Sequence, residues 1–320
     1  MKRALVLLVV GCGVDEVVTR EQAIMGPSHA AALGELPATG ALVSDALGGW
    51  SLACTATLIA PNAVLTAAHC IQFGDVPSFT FERNAHEPPA QTILAGATMI
   101  PHPNFDGGRV PLGQIGQADD IGLVLLANPV LDVAPARLPR TQDAPAIVSG
   151  LAVTLVGYGY GSDYDDAGVP GYAYKRVGSA HLVRIGDHEV TIENVAEAGA
   201  CNGDSGGPVY ATIDGALEIA AVVSRGLAFM DCSPGGVYTR VDPYISWIES
   251  HVTLPCGSGS SPDCAPGSDA GVPDAPPAPG DAGGGSHSGD PGGGCGCRSG
   301  SSPSAWLLLV VAALSRRRRR

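Results

Sequence analysis

One serine in this 320-residue chain is well placed to act as a nucleophile. Ser205 lies in the segment Cys201-Asn-Gly-Asp-Ser-Gly-Gly-Pro208, where a sharp backbone turn can expose its hydroxyl. A serine hydroxyl is a weak nucleophile at neutral pH and needs a neighbouring base to accept its proton. His69, in Leu65-Thr-Ala-Ala-His-Cys70, is a candidate base because histidine titrates near neutrality. Asp120, which opens the apolar run Asp120-Ile-Gly-Leu-Val-Leu-Leu126, could orient such an imidazole.

These segments and their order along the chain resemble the chymotrypsin/trypsin family of serine endopeptidases over about residues 24 to 252. Each residue has a plainer interpretation when taken singly: a buried histidine, an acid at the start of a strand, a Gly-rich turn. The resemblance implies that His69 is the general base, that Asp120 orients it, and that the backbone N–H groups of Gly203 and Ser205 bind the oxyanion. Asp119 is expected to be a solvated neighbour of Asp120.

Asp204, beside the candidate nucleophile, is costly to bury without a cation. In the family, proteolysis frees an apolar N-terminus whose ammonium pairs with this aspartate. Ile24-Met25-Gly26 resembles the family's Ile-Val-Gly-Gly start, although Pro27 replaces the second glycine, so cleavage after Ala23 and an Ile24–Asp204 salt bridge are predicted. Because the nearest basic residue is Arg20, a trypsin-like activating protease is not expected unless trimming follows a first cut there. A chain that starts elsewhere and is not activated is the alternative.

The cysteines agree with the same resemblance. It implies disulfides between Cys54 and Cys70, around the histidine loop, and between Cys201 and Cys232, beside the substrate pocket. Disulfides persist in oxidising compartments, so the protein is expected to act outside the cytoplasm. Cys256 and Cys264 could close a small loop, although the sequence does not fix their connectivity. No CxxC pair or His-rich cluster has zinc-finger spacing, so neither a metal nor another cofactor is expected.

The resemblance also assigns a substrate pocket. It puts Gly199 at the floor, where trypsin-like members carry an aspartate, and puts Ala200, Gly226 and Gly236 along the walls. These small groups leave room for a large uncharged side chain, so cleavage after apolar or aromatic residues is expected. Ser224 is implied to support Asp120 and to begin the strand along which substrate pairs. A role in packing alone is the alternative for Ser224 and the glycines.

Several charged residues keep parts of this assignment open. Arg225 stands where the family usually has an aromatic residue, which leaves the neighbouring subsite undefined. Asp231 is close enough along the chain to put a carboxylate near the pocket. Glu82, Glu87 and the acids within 163–166 could bind calcium, although solvated loop positions are the simpler interpretation.

The first 23 residues read as a targeting and propeptide segment. A basic start, Met1-Lys-Arg, precedes a short apolar run and then Cys12, as in a secretory signal. Val9-Val10-Gly11-Cys12 also resembles a bacterial lipobox, which implies lipidation of Cys12. An ordinary signal peptide is the alternative.

The other end divides into a linker and a tail. Residues 253–303 are rich in Gly, Pro and Ser and predict a flexible linker. Residues 304–320 hold ten apolar residues, Ala305–Leu314, before five arginines, and that stretch is shorter than the roughly 20 residues that a membrane-spanning helix needs. The arrangement resembles the MYXO-CTERM sorting signal and implies processing or attachment at Cys295 or Cys297 by sorting and lipid-attachment machinery. An uncleaved short anchor is the alternative.

Composition restricts the partners. The chain has 31 acidic and 18 basic residues, and seven of the basic ones lie in the two ends: Lys2, Arg3 and Arg316–Arg320. The domain between them is therefore strongly acidic, which argues against nucleic acid or anionic lipid as a partner.

By resemblance, residues 24–252 form an all-β fold: two six-stranded antiparallel β-barrels with a C-terminal helix. Short apolar runs between Gly, Pro and Asn turns agree with this fold, namely residues 63–66, 123–126, 153–156 and 219–223. Asp242-Pro243 predicts an N-cap and first turn for a helix over residues 244–251.

The sequence therefore predicts a bacterial serine endopeptidase, secreted or anchored at the outer-membrane surface, that cleaves protein or peptide substrates through an acyl-enzyme. A non-catalytic surface binding module of the same fold is one alternative, although such relatives usually lose His, Asp or Ser and all three are present. An esterase is another, because the acyl-transfer machinery is shared.

Overall fold

The structure is a computed structural model that describes residues 24–46, 49–86, 88–159, 172–193, 196–229 and 231–262. The predictions for Cys12, for the linker beyond residue 262 and for the sorting tail with Cys295 and Cys297 lie outside the described residues. So do Glu87 and residues 163–166, the calcium candidates other than Glu82. In the part of the chain that is described, no helix is long and apolar enough to cross a membrane.

Two curled antiparallel sheets account for most of the fold, which confirms the all-β double-barrel prediction. The thirteen strands are β1 Ser28–Ala30, β2 Thr39–Ala46, β3 Gly49–Ala60, β4 Ala63–Thr66, β5 Ser78–Thr80, β6 Gly96–Pro101, β7 Gly122–Leu126, β8 Ala152–Gly157, β9 Arg176–His181, β10 Glu189–Ile192, β11 Pro208–Ile213, β12 Ala216–Ala228 and β13 Asp231–Arg240. The first sheet has the order β5-β2-β3-β4-β7-β6, and the second has the order β1-β9-β8-β11-β12-β13-β10. The second sheet has seven strands rather than the expected six because β1 pairs with the edge of β9.

The predicted apolar runs all fall inside strands of these sheets: β4, β7, β8 and β12. Register shifts interrupt the pairing within each sheet, for example between Leu58 and Ala60 and between Val223 and Arg225. Such irregularities bend a strand and increase its twist, which lets each sheet curl around its own core.

The largest apolar cluster lies where the two sheets meet. Ile59, Leu65 and Leu123 of the first sheet belong to the same buried cluster as Val156 and Val222 of the second. Burying one such side chain contributes about 1.5–3 kcal/mol, so this cluster holds the two sheets together.

The closing helix is shorter than predicted and begins differently. A 3-10 turn, Asp242–Tyr244, leads into helix α1, Ile245–Glu249, which buries Ile245 and Ile248. Asp242 does not cap it with its side chain, because Arg240 engages both carboxylate oxygens at 2.9 and 2.7 Å. Pro243 does occupy the first turn, as its fixed φ favours.

The chain does not become a linker directly after α1. Ser258 is fully buried, and its Oγ accepts a hydrogen bond of 2.9 Å from the Leu138 backbone N–H. Arg137 donates to the Gly257 carbonyl at 2.6 Å, and Cys256 is disulfide-bonded. Residues 254–262, the C-terminal strap, therefore pack on the domain, although their Gly/Ser-rich composition predicted flexibility.

Candidate active site

His69 lies in a 3-10 turn, Ala68–Cys70, directly after β4. Its Nδ1 is 2.8 Å from Asp120 Oδ2, and its backbone N–H donates to Asp120 Oδ1 at 2.9 Å. These two contacts fix both the ring and the backbone of His69 against one carboxylate. Because Nδ1 faces a carboxylate, it is the protonated nitrogen, and Nε2 is left to accept a proton.

Asp120 precedes β7 and is almost completely buried. Ser224 of the second sheet donates a hydrogen bond of 2.6 Å to its Oδ2. Burial alone would raise the pKa of Asp120, but the hydrogen bonds and charge of His69 and the hydrogen bond from Ser224 outweigh it and lower the pKa below its usual value. The carboxylate therefore stays ionised at neutral pH.

The Ser205 loop is held between the two sheets. The Ser205 carbonyl accepts a hydrogen bond from Thr55 N–H of the first sheet at 2.9 Å, and Gly206 N–H donates to Val223 O of the second at 2.8 Å. Gly206 has a φ of +76°, and a Cβ there would overlap Thr66 Oγ1. Only glycine fits this position, which fixes the turn that carries the serine.

Among the described residues, no hydrogen bond joins Ser205 Oγ to His69 Nε2; the ring nitrogen lies 3.7 Å from the sulfur of Cys70. Such bonds are often long in a site without substrate and tighten when substrate binds. The structure thus brings the three predicted residues to the same junction, with the His–Asp half of the arrangement already formed.

The candidate oxyanion site is formed by the backbone around Gly203. Its φ is +90°, and a Cβ would lie 2.8 Å from Gly159 Cα, so the sequence requires glycine here. Thr55 Oγ1 donates to the Gly203 carbonyl at 3.1 Å and holds the peptide from behind. Within the described part of the chain, the N–H groups of Gly203 and Ser205 have no acceptor, so both can bind a developing negative charge.

Asp204, next to Ser205 in sequence, is fully buried. Its Oδ2 accepts hydrogen bonds from Ile24 N at 3.0 Å and Cys201 N at 2.9 Å, and its Oδ1 accepts one from Gly159 N at 2.8 Å. Burial raises the pKa of Asp204 to about 6, against the lowering effect of these backbone donors. The backbone nitrogen of Ile24 thus contacts the carboxylate with which a free N-terminus was expected to pair.

Asp119 is not the solvated residue that the sequence suggested. It is 1% exposed, and its carboxylate accepts hydrogen bonds from Arg109 at 2.9 Å, Tyr244 at 2.8 Å and Gln117 at 3.1 Å. Its φ of +55° explains the need for an acid or amide, since Asp and Asn tolerate this region better than other non-glycine residues. One of these partners, Tyr244, lies 125 positions away in sequence, so the position of Asp119 beside Asp120 did not indicate that it would be buried.

The residues assigned to the pocket lie in β12, in β13 and in the loop before Ser205. Gly199 pairs with Met25, and a Cβ built on it would meet nothing within 4 Å, so its face of the pocket is open. Ala200 donates its N–H to Tyr238 Oη at 3.3 Å, and Gly236 packs on the same ring. A Cβ on Gly226 would lie 3.0 Å from the Ala228 carbonyl. The walls therefore carry no charged side chain among these residues.

Asp231 does not supply a charge to this pocket. Its side chain is exposed and accepts a hydrogen bond of 2.9 Å from Ser233 N–H. The hydrogen bonds from Ser233 lower the pKa of Asp231 below its ordinary value. The acid that the sequence left in question therefore faces solvent at the start of β13.

Both predicted disulfides are present, Cys54–Cys70 and Cys201–Cys232. The first ties β3 to the His69 turn, and the second ties the Ser205 loop to β13. The sulfurs of Cys54 and Cys70 lie near His69 in a group that could in principle hold a metal. Because both sulfurs are in a disulfide, neither can supply the thiolate ligand that metals prefer.

Sequence reasoning did not identify the pairing of Arg225 with Glu189. Glu189 is fully buried and receives both Nη1 and Nη2 of Arg225, at 2.7 and 2.8 Å. The two residues are 36 positions apart in sequence, so only the fold reveals their contact.

A family model described as Trypsin matches residues 28–248. The chain is 31% identical over 219 residues to Trypsin Blo t 3 of Blomia tropicalis, over 61% of this chain and 76% of that protein. It is 28% identical over 222 residues to Chymotrypsin of Phaedon cochleariae, over 66% and 75% of the two chains. Vitamin K-dependent protein C of Oryctolagus cuniculus is 28% identical over 227 residues, 63% of this chain and 47% of that protein. The alignments thus span about half of protein C and about three quarters of the other two.

Proposed function

Because the chain belongs to the trypsin family of serine proteases, we propose that it is a serine endopeptidase that works through an acyl-enzyme. Ser205 Oγ bonds to the carbonyl carbon of the substrate while its proton passes to His69 Nε2. The carbonyl oxygen becomes an oxyanion held by Gly203 and Ser205 N–H. The C–N bond then breaks, and the leaving amine takes the proton from His69. Water then attacks the acyl carbon and gives a proton to His69. The bond from Ser205 Oγ to that carbon breaks, the acid leaves, and His69 passes the proton to Ser205 Oγ.

The observation that carries this proposal is the contact of 2.8 Å between His69 Nδ1 and Asp120 Oδ2. It orients Nε2 as the base and provides a carboxylate to stabilise the imidazolium once the proton has moved. Ser224 keeps that carboxylate in place from the other sheet. A binding module of the same fold would have no use for this arrangement.

Labelling with a fluorophosphonate probe tests the proposal, because the probe bonds to an activated serine. The processed protein is expected to label at Ser205, and the Ser205→Ala and His69→Ala variants are expected not to label. The digestion of a protein substrate, blocked in Ser205→Ala, separates a peptidase from an esterase. A folded protein that begins at Ile24 but neither labels nor digests protein would instead be a binding module.

Activation by cleavage after Ala23 is part of the proposal. Ile24 is fully buried with its nitrogen on Asp204, yet its φ of +46° is unfavourable for a β-branched residue. Cleavage removes the preceding carbonyl, and with it the steric constraint that makes this φ unfavourable. It also converts the nitrogen into an ammonium, the cation that Asp204 requires. N-terminal sequencing of the active protein should therefore begin at Ile24, and any other start would contradict this step.

A preference for uncharged apolar or aromatic residues before the cleaved bond follows from the open face of Gly199. An aspartate at that position would be needed to pair with Lys or Arg. A peptide set that differs only at this residue should give higher kcat/KM for Phe or Leu than for Lys, Arg or Asp. Faster cleavage after Lys or Arg would contradict this preference.

The protein is proposed to act outside the cytoplasm, since its two described cysteine pairs are oxidised. A lipid on Cys12 would anchor only the precursor, until cleavage after Ala23, whereas processing at Cys295 or Cys297 would anchor the processed protein to a bacterial outer membrane. Intact-mass measurement of the protein recovered from the cell surface tests whether these cysteines are modified. Unmodified cysteines at these positions would contradict anchoring without affecting the catalytic proposal.

A further inference from the structure

We propose that residues 113–118, the wall segment, limit how much of the substrate the cleft can hold on its acyl side, that is, before the cleaved bond. The wall segment leaves room there for about three substrate residues, and the Arg225–Glu189 ion pair holds the segment in place. The inference rests on the proposed endopeptidase function. It defines which peptides can reach Ser205.

The wall segment belongs to the connection between β6 and β7, in the first sheet, but its anchors lie in the other half of the domain. Arg184 donates to the Gly113 carbonyl from Nη1 and Nη2, both at 3.2 Å. Arg225 Nη2 donates to the Gln114 carbonyl at 3.0 Å. A Cβ on Gly186 would lie 3.1 Å from Ile115 Cδ1, so the apolar side chain also packs there. The connection therefore bridges the two halves across the cleft.

Glu189 is the centre of this anchorage. In addition to Arg225, it accepts the backbone N–H of Gly116 at 2.7 Å and that of Ala118 at 3.4 Å. A fully buried carboxylate with two charged and two backbone donors is held tightly, and loss of its cation would leave an uncompensated charge. The charge of Arg225 is thereby neutralised, so Arg225 acts on substrate by positioning the wall rather than by attracting acidic side chains.

The wall stands at the far end of the strand edge that begins at Ser224. From Arg225 to Ala228 one edge of β12 pairs with β13, and within the described residues no strand pairs with the opposite edge there. Gly113, with φ +77°, packs so closely on this stretch that a Cβ would lie 3.3 Å from the Leu227 carbonyl. A peptide that pairs antiparallel with residues 224–226 has room for about three residues, at roughly 3.4 Å each, before it meets the wall.

The substrates favoured by this geometry have a short acyl side or one that turns away from the cleft. Bonds near the N-terminus of a peptide and bonds in exposed loops meet this condition. A long extended acyl side gains no contacts beyond its third residue, so it gains no rate from them.

The test uses processed wild-type enzyme and a series of acetylated peptides that share one cleaved bond and leaving group, with acyl sides of two to six residues. We expect kcat/KM to rise up to three residues and then to change by less than about threefold. A larger gain between three and six residues would overturn the wall. If an enzyme that labels at Ser205 cleaves none of the series or a denatured protein, the endopeptidase proposal fails instead.

The variant that releases the wall is Arg225→Gln combined with Glu189→Gln, which removes both charges together and leaves no unpaired buried ion. Its ratio of kcat/KM for six-residue over three-residue acyl sides should rise about fivefold over that of the wild type. Arg140→Gln with Asp143→Asn removes an ion pair in the 3-10 turn Thr141–Ala146 and should leave the ratio unchanged. An equal ratio in both double variants would contradict the role of Arg225 and Glu189. If the first variant does not fold, the wild-type peptide series still tests whether the cleft accepts only about three residues before the cleaved bond.

Discussion

The Ile24 nitrogen lies 3.0 Å from Asp204 Oδ2, and both residues are fully buried. In the uncleaved chain this nitrogen is a neutral amide, so the carboxylate is desolvated with only neutral donors around it. Burial accordingly raises the pKa of Asp204 to about 6. Cleavage before Ile24 would supply a positive charge at the atom where it is needed.

We expect the uncleaved protein to lose stability as the pH rises from about 4 to 6. In that interval the unfolded chain releases the Asp204 proton and the folded chain retains it, so the folded state binds more protons and its stability falls with pH. A shift from 3.8 to about 6 corresponds to about 3 kcal/mol. In the cleaved form the ammonium lowers this pKa, and the loss should disappear. Urea unfolding of both forms across this pH range, in a Ser205→Ala background that prevents self-digestion, measures the difference.

Asp204→Asn is the matched control, because it keeps the shape and removes the charge. It should abolish the pH dependence of the uncleaved form between about pH 4 and 6, and it should destabilise the cleaved form at pH 7. Equal pH dependence in cleaved and uncleaved protein would show that the Ile24 nitrogen does not control the Asp204 charge.

Ser224→Ala should weaken the site through Asp120. The hydrogen bond from Ser224 helps to lower the pKa of Asp120, so its contribution is present at neutral pH and is lost as the pH falls through the folded-state pKa of that carboxylate. A hydrogen bond to a charged group is worth about 1.5–3 kcal/mol, and the loss in unfolding free energy should be of this size at pH 7 and smaller in acid. The exposed Ser246→Ala serves as control. A pH-independent loss in Ser224→Ala would argue for packing alone.

The sequence was sufficient to predict the fold, and it identified candidate site residues where the requirement is local. His69, Asp120 and the glycines around Ser205 lie in short segments whose turns demand particular residue types, such as Gly203 at φ +90°. The strands could be predicted for the same reason, since each is a short segment in which apolar residues either alternate with polar ones or follow one another.

Contacts between distant segments could not be predicted in this way. Asp119 is buried by Tyr244, 125 positions away, and Glu189 by Arg225, 36 positions away. Ser258 sits in a Gly/Ser-rich stretch whose composition predicts flexibility, yet its partner, the Leu138 N–H, is provided by a segment 120 positions earlier. In each case the two partners are brought together only by the fold, and the local sequence around either residue does not indicate the contact.

Asp119 should tolerate Asn and not Ala. Asn keeps an acceptor for Tyr244 and tolerates φ +55°. Ala removes the acceptor of Tyr244 and one of the acceptors of Arg109, and it leaves the backbone strained. We expect Asp119→Ala to lose about 3 kcal/mol and Asp119→Asn about half of that. Urea unfolding gives the energies, and kcat/KM shows whether Asp120 has moved. Similar losses in the two variants would mean that neither the hydrogen bonds nor the backbone conformation matters here.

Gly203→Ala should impair catalysis more than binding. The new Cβ would lie 2.8 Å from Gly159 Cα at a φ of +90°, so the peptide that carries the proposed oxyanion donors must move. Loss of one such donor lowers kcat by about 10²–10³-fold with little change in KM. Gly215→Ala is the control, since Gly215 also has a positive φ but an open surrounding, and it should lose stability without losing kcat. A rise in KM alone for Gly203→Ala would contradict the oxyanion role.

The C-terminal strap should contribute to stability although it follows the closing helix. A protein that ends after Val252 should melt several degrees below the full-length protein, because it lacks the packing of Leu254 and the hydrogen bonds of Ser258. Ser258→Ala leaves the buried Leu138 N–H unpaired at a cost of about 1–3 kcal/mol, and each kcal/mol lowers Tm by about 2–4 °C in a domain of this size. Ser260→Ala, which loses only an exposed contact with Glu249, should change Tm by no more than about 2 °C. Equal Tm values for the truncated and full-length proteins would mean that the domain ends at the helix and that the strap does not stabilise it.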